Sequence, residues 1–191
     1  MRIAIDIDST LHHYWNILSE VSRQRFGIEL PYEEQLTWGI TRLRADQLAL
    51  CIAETHSDEK ILAGTPYPGA VEAVWRWHEQ DNFVHITSHR ESSCRAATAG
   101  WLERIGLPYD DLHCSFDKIS RCAELDIDVL IDDSPGNLLG AIELGITPAT
   151  LIHPWNRELC EEEEIICAES WPQLEALLEP VLRGERSYTR V

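Results

Sequence analysis

The sequence predicts an α/β fold built on a doubly wound parallel sheet with helices on both faces. Three observations support this prediction. Residues 2–7 form an apolar run at the start of the chain, which suits a strand buried on both faces. From Pro66 onward, short apolar runs alternate with segments of helical periodicity. The chain has 191 residues with 44% hydrophobic content, which is enough for one well-buried core.

The first third of the chain predicts one strand followed only by helices. After the initial strand, apolar and aromatic residues from Tyr14 to Phe26 recur at helical spacing, and Gly27 ends that helix. Pro31 marks the start of a further helix, and helical stretches are expected at 42–54 and 58–62. A gap without strands from 11 to 65 is too long for an ordinary connection. We therefore expect a helical insertion after the first strand.

The remainder predicts repeated strand and helix units with right-handed crossovers. Residues from Gly184 onward are expected to be a frayed end, and no internal repeat is visible. The expected elements are a helix at 70–80, a strand at 82–87, a helix at 92–105, a strand at 112–115, a helix at 119–125, a strand at 128–131, a helix at 135–144, a strand at 149–152 and a helix from 169 to 182.

Composition excludes several classes of partner. A formal net charge of -17 argues against binding a nucleic-acid polymer, and the acidic run 161–164 is expected to be a solvated loop or helix face. No apolar run approaches membrane-spanning length, and a core strand directly after Met1 leaves no room for a secretion signal, so a cytoplasmic location is expected. The six cysteines contain no CxxC pair and are expected to be reduced thiols rather than zinc ligands. The oligomeric state stays open.

Polar side chains follow four of the predicted strands where each strand ends. Parallel strands bring such ends to one edge of the sheet, so these side chains are expected to meet. Paired carboxylates repel each other unless a cation binds between them, and carboxylate oxygens favour Mg²⁺. The set combines carboxylates, hydroxyls and one lysine, which suits the transfer of a phosphoryl group. Its members are Asp6, Asp8, Thr87, Ser88, Lys118, Asp132 and Asp133.

The order of these residues resembles the four motifs of the haloacid dehalogenase (HAD) superfamily of phosphotransferases. Asp6-Ile7-Asp8-Ser9-Thr10 is similar to its first motif, DxDx(T/V). Thr87 stands at the second motif, Lys118 at the third, and Asp132-Asp133 at the acidic fourth. The resemblance covers nearly the whole chain. DxD alone is a weak pattern, but four motifs in order, each at a predicted strand end, are specific.

The resemblance implies a role for each residue that matches a motif. Asp6 would attack phosphorus and form an aspartyl-phosphate. Asp8 would protonate the leaving oxygen and later deprotonate the attacking water, which separates this chain from the dehalogenase branch, where no acid stands at that position. Thr87 and Lys118 would hold the phosphoryl oxygens, and the hydroxyl and backbone N–H of Ser88 are expected to help.

The same resemblance implies a magnesium site. Its expected ligands are Asp6, the backbone carbonyl of Asp8, and the acidic pair. Asp133 is expected to bind the metal directly and Asp132 to act partly through water. The alternative is a purely structural role, in which Asp8 and the acidic pair cap the helices that follow them and Lys118 is a surface lysine.

The insertion resembles the C1 cap of the superfamily, most closely the small cap of the 5'(3')-deoxyribonucleotidase-like branch. The expected organisation is an α/β core of residues 1–11 and 66–191 with a cap at 12–65. In that branch an aromatic residue eight positions after the nucleophile helps to hold the base, and Tyr14 stands there. Further cap aromatics either complete a base pocket or pack the cap helices together. They are Trp15, Phe26, Tyr32 and Trp38.

Two departures bear on the substrate. Ser9 replaces the glycine usual in that branch, and Ser88-His89-Arg90 is not its usual continuation of the second motif. Arg90 is expected either to bind a second anionic group of the substrate or to pair with one of the many surface acids. The leading hypothesis is a Mg²⁺-dependent phosphomonoesterase acting on a small phosphorylated metabolite, with 5'-nucleotides as substrate. The alternatives are a phosphatase of a sugar phosphate or other small metabolite, and a non-catalytic phosphate-binding or interaction module.

Overall fold

The computed structural model describes residues 1–185, and its centre is a six-stranded parallel sheet with the order β3-β2-β1-β4-β5-β6. This confirms the predicted α/β fold class. The strands are β1 (Arg2–Asp6), β2 (Phe83–Ser88), β3 (Asp111–Cys114), β4 (Val129–Ile131), β5 (Thr147–Leu151) and β6 (Ile166–Ala168).

Nine α-helices connect and cover the strands within the described residues 1–185. Short 3₁₀ turns at Tyr32–Glu34 and Ser92–Cys94 accompany them. The helices are α1 (Tyr14–Phe26), α2 (Ala45–Thr55), α3 (Asp58–Ala63), α4 (Ala70–Glu79), α5 (Arg95–Ile105), α6 (Lys118–Glu124), α7 (Pro135–Glu143), α8 (Arg157–Glu162) and α9 (Trp171–Leu182).

The direction in which strands are added reverses at β1. The chain extends the sheet from β1 through β2 to β3 and then returns to place β4 on the other side of β1. Ligands of open α/β sheets bind in the crevice at the carboxyl ends of the strands at such a reversal. Ile3, Ile5 and Ile131 are fully buried along this seam, so the strand ends stand on a rigid base.

The helices between β1 and α4 form a second, smaller cluster of buried residues. Helices α1 and α2 pack together, whereas α3 packs against α5 of the core. The cluster also includes Trp155, which follows β5. The side chain of Trp155 therefore packs these cap helices against the core. The division into a core of residues 1–11 and 66–191 and a cap of 12–65 stays a prediction. Most of the expected frayed end, residues 186–191, lies outside the described residues.

Several elements differ from the sequence predictions. Strand β6 and helix α8 were missed because each is short, and α8 includes the first half of the acidic run 161–164. The helix expected at Pro31 is only a 3₁₀ turn. Strand β5 begins at Thr147 and contains Pro148, which pairs with β4 only, since β6 joins from Ala149 onward. A proline is tolerated there because its missing N–H has no partner strand to serve.

No helix in the described part of the chain combines the length and the apolar character needed to cross a membrane. All six cysteines are free thiols.

Candidate active site

Three carboxylates meet where the strand order reverses. Asp6 ends β1, and Asp132 and Asp133 follow β4 directly. One oxygen from each lies within 4.8 Å of the others. The three residues are only 3%, 0% and 3% exposed, respectively. Buried carboxylates at this separation repel one another strongly, so the arrangement requires positive charge.

Lys118 supplies part of that charge. It is the first residue of α6, and its Nζ donates to Asp6 and, at 2.9 Å, to Asp132. Burial lowers the pKa of Lys118, but the two carboxylates outweigh burial and raise it, so the ammonium stays charged. Burial raises the pKa of Asp6, and the Lys118 cation counteracts that shift. Lys118 therefore favours the ionised form of Asp6, which is the nucleophilic one.

The two carboxylates of the acidic pair after β4 differ in their hydrogen bonds to the protein. Asp132 accepts hydrogen bonds from the backbone N–H of Ser134 at 2.8 Å and from Asn137 Nδ2 at 3.0 Å, in addition to Lys118. Within residues 1–185, no side chain donates to the carboxylate of Asp133. Burial, followed by the charges of Asp6 and Asp132, raises the pKa of Asp133. A cation beside Asp133 would relieve this repulsion.

Thr87 presents a buried hydroxyl with no partner. It is fully buried near the end of β2 and pairs in register with Asp6. Its Oγ1 makes no hydrogen bond in residues 1–185. A buried hydroxyl without a partner carries a free-energy penalty that a bound ligand oxygen would remove. Thr87 therefore offers a free hydroxyl beside the strand position of Asp6, and phosphoryl binding by it stays a prediction.

Asp8 is surrounded by its own set of hydrogen-bond donors. Arg90 Nε and Nη2 contact its two oxygens at 3.0 and 2.7 Å, and His12 Nε2 contacts it at 2.7 Å. Ser88 Oγ lies 3.4 Å from it. Burial alone would raise the pKa of Asp8, but Arg90 and His12 hold it well below its usual value. The resting structure therefore contains Asp8 as a carboxylate, the form that acts as a general base.

Arg90 has a different environment from the one expected for a substrate ligand. Its side chain is only 2% exposed, and its remaining contacts are Thr98 Oγ1 at 3.2 Å and His12 Nε2 at 3.1 Å. The guanidinium of Arg90 is occupied by Asp8, a residue of the first motif and not one of the surface acids considered as its partner. Binding of a second anionic group by Arg90 stays a prediction. Ser88 likewise uses its hydroxyl within the protein, toward Asp8 and the backbone N–H of Arg90.

Tyr14 lies on the Asp8 side of the site but is engaged inside the cap. Its hydroxyl is 2.9 Å from Thr55 Oγ1, and its ring packs 5.7 Å from the ring of His56. Base binding by Tyr14 stays a prediction. Phe26 packs partly buried against the cap cluster, and Trp38 is 49% exposed.

Two histidines near the site were missed as functional candidates. His12 contacts Asp8, and the only signal in the sequence was its spacing of four residues from that acid. His153 Nε2 donates to the carbonyl of Ser9 at 2.8 Å, and its Nδ1 lies 2.6 Å from the hydroxyl of Tyr32. Ser9 has a left-handed backbone with φ of 66°, a conformation that glycine adopts more readily than serine. His153 is 144 residues away from Ser9, so no local pattern marks this contact.

Solved structures share this architecture. A HAD family hydrolase from Deinococcus radiodurans R1 with bound phosphate and sodium matches with a TM-score of 0.70 and 18% identity, covering 95% of this chain and 96% of that one. The D,D-heptose 1,7-bisphosphate phosphatase of B. bronchiseptica, complexed with magnesium and phosphate, matches with a TM-score of 0.56 and 15% identity, and the match covers 96% of this chain and 98% of that one. The L-2-haloacid dehalogenase PA0810 matches with a TM-score of 0.56 and 17% identity, and the match covers 93% of this chain and 98% of that one.

The chain has the fold of the HAD hydrolases. No family model matches the sequence, and no curated protein matches it either. Structural likeness at these identities establishes the HAD fold alone, because the same fold carries phosphatases and a dehalogenase. The chemistry therefore depends on the side chains at the site of this chain.

Proposed function

We propose that this chain is a Mg²⁺-dependent phosphomonoester hydrolase that acts through an aspartyl-phosphate on Asp6. The observation that carries the proposal is the buried cluster of Asp6, Asp132 and Asp133, with Lys118 bound to the first two. One buried lysine does not balance three buried carboxylates, so the cluster favours a divalent cation. The three side chains of this cluster offer carboxylate oxygens, which fit a hard cation such as Mg²⁺.

The residues present can perform both halves of the reaction. An oxygen of Asp6 attacks phosphorus, and the bond from phosphorus to the leaving oxygen breaks as that oxygen takes a proton from Asp8, which has first received this proton from the monoanionic phosphate of the bound substrate. In the second half Asp8 removes a proton from water, the water oxygen attacks phosphorus, and the bond to Asp6 breaks to release phosphate. Thr87 and Lys118 hold phosphoryl oxygens throughout. A bound Mg²⁺ would supply charge neutralisation at those oxygens, with Asp133 as its available ligand and Asp132 held by the protein.

We further propose that the substrate is a 5'-nucleotide and that the protein is cytoplasmic. The rival substrate is a sugar phosphate, which the heptose bisphosphate phosphatase of the same fold favours by analogy. A non-catalytic binding module is disfavoured because it has no use for a nucleophile at Asp6 or for an acid and base at Asp8.

Hydrolysis of p-nitrophenyl phosphate with Mg²⁺ tests the activity. We expect turnover that disappears with a chelator and returns with added Mg²⁺. Asp6→Asn should lower kcat at least about 10³-fold, since it removes the nucleophile. Asp46→Asn is the matched control, because this carboxylate is 68% exposed on α2 and pairs with Arg44. A folded wild-type protein that hydrolyses no phosphomonoester contradicts the proposal.

Trapping separates a catalyst from a binding module. We expect beryllium fluoride to form a Mg²⁺-dependent adduct on Asp6, detected by ¹⁹F NMR, in the wild type and not in Asp6→Asn. Phosphate binding without such an adduct would favour the binding module.

A further inference from the structure

His89 differs from its neighbours at the end of β2. Ser88 and Arg90 are buried, whereas His89 between them is partly exposed. The side chains of Ser88 and Arg90 are both engaged with Asp8. The ring nitrogens of His89, by contrast, make no hydrogen bond in the described part of the chain. A ligand that arrives from solvent can therefore bind the His89 ring without displacing a hydrogen bond.

Phe116 holds the ring of His89 by stacking. The backbone N–H of Ser115 donates to the carbonyl of Ser88 at 3.0 Å, so the chain leaves β2 and β3 side by side. One residue further along each segment, the rings of His89 and Phe116 stack, with centroids 5.8 Å apart and planes 22° from parallel. Stacking fixes the plane of the imidazole and leaves its edge, which carries both nitrogens, uncovered by Phe116.

The ring of His89 lies within electrostatic reach of the catalytic candidates. The ammonium of Lys118 and the carboxylates of Asp132 and Asp8 all act on its pKa. Burial first, and then the Lys118 cation, lowers the pKa of His89 from 6.5 to about 4, although the two carboxylates oppose this shift. The imidazole is therefore neutral at pH 7, with one nitrogen that donates a hydrogen bond and one that accepts.

We propose that the N–H of His89 donates a hydrogen bond to a phosphoryl oxygen of the bound ester, and that Phe116 is the positioning residue of this donor. The proposal rests on the proposed phosphatase function and adds a side chain to its phosphoryl site beyond Thr87 and Lys118. A neutral donor suits this place, because it binds an anionic oxygen without adding a second cation beside Lys118.

Binding of inorganic phosphate tests the hydrogen bond without any catalysis. The wild-type protein is titrated with phosphate in the presence of Mg²⁺ by calorimetry. His89→Ala should weaken binding about 10-fold, the effect of one hydrogen bond to a charged group. His89→Asn keeps an N–H donor and should restore part of the affinity. His78→Ala is the matched control, because His78 is a partly exposed histidine in the last turn of α4, where it pairs with Asp110.

Variants of Phe116 test the positioning. Phe116→Leu removes the stacking ring but keeps an apolar side chain, so it should weaken phosphate binding about 3-fold and shift the ring ¹⁵N signals of His89 in NMR spectra. Phe116→Tyr retains a stacking ring and should restore both the affinity and the signals. The urea midpoint of each variant should match that of the wild type, because the Phe116 side chain is 73% exposed.

Kinetics locate the oxygen that His89 contacts. His89→Ala should lower kcat/KM by the same factor for p-nitrophenyl phosphate and glycerol 3-phosphate, since these esters share only the phosphoryl group. A loss confined to one ester, or undiminished phosphate binding in His89→Ala, would overturn the proposal and leave the phosphatase function standing.

The two proposals can fail separately. A wild-type protein that hydrolyses esters but binds no phosphate at about 10 mM would overturn the role of His89 alone. Phosphate binding that His89→Ala weakens and His89→Asn restores supports that role even if no ester is hydrolysed, a result that would overturn only the phosphatase function.

Discussion

Replacing Arg90 with methionine should destabilise the protein by about 3 kcal/mol. The guanidinium is 2% exposed and makes two contacts with Asp8, whose side chain is 18% exposed. Removing one partner of a buried pair typically costs 3 to 5 kcal/mol, because the other charge stays buried without its partner. Asp8 retains His12 at 2.7 Å and some solvent, which puts the expected value at the lower end of that range. Methionine keeps most of the apolar stem and so limits the loss of packing.

Urea unfolding at pH 7 measures this effect. Arg95→Met is the matched control, since Arg95 is exposed at the start of α5, and we expect a change below about 0.5 kcal/mol. A double-mutant cycle with Asp8→Asn should give a coupling energy of about 2 kcal/mol. A loss below about 1 kcal/mol for Arg90→Met, or a coupling energy near zero, would show that Arg90 does not hold Asp8 in solution.

Three further predictions concern Lys118, His153 and Gly69. In the presence of a chelator, Lys118→Met should lower the free energy of unfolding in urea by on the order of 3 to 5 kcal/mol, and added Mg²⁺ should restore part of it. The stability of the control, Lys60→Met in the cap, should not respond to Mg²⁺. An unchanged unfolding midpoint in Lys118→Met would show that Lys118 does not balance the charge of the carboxylates. Burial lowers the pKa of His153 from 6.5 to about 4. Between pH 6.5 and pH 4 the unfolded chain therefore binds more protons at this residue than the folded chain does. The contribution of His153 to the free energy of unfolding should fall by about 2 kcal/mol from pH 8 to pH 5. His153→Gln should flatten that pH dependence relative to the wild type and to His78→Gln, and parallel curves would contradict the assignment. Gly69→Ala should lower the midpoint of thermal unfolding more than Gly27→Ala does. Both glycines have positive φ, but only at Gly69 would an added Cβ lie 3.1 Å from Pro172. Equal shifts of the two midpoints would argue against that contact.

The fold was predictable because its signals are local. Buried parallel strands appear as apolar runs, as in residues 2–7, and helices as periodic faces separated by glycine and proline. Strand β6 and helix α8 escaped prediction because three and six residues are too few to show a period.

The sequence by itself determined which residues reach the carboxyl edge of the sheet. Asp6, Thr87 and the pair Asp132-Asp133 each follow an apolar run, and parallel strands in one sheet must bring those ends together. Their chemical types, oxygen ligands beside one lysine, already indicated a cation and an anionic group.

Only the tertiary structure decided what the neighbouring side chains do. Arg90 is 82 residues from Asp8 and His153 is 144 residues from Ser9, and nothing in the sequence around either one distinguishes a protein partner from a substrate. The same holds for the stacked rings of His89 and Phe116, which the segments after β2 and β3 bring together. A strand end follows from local periodicity, whereas contacts between distant side chains depend on how all the layers pack, which no single stretch of sequence encodes.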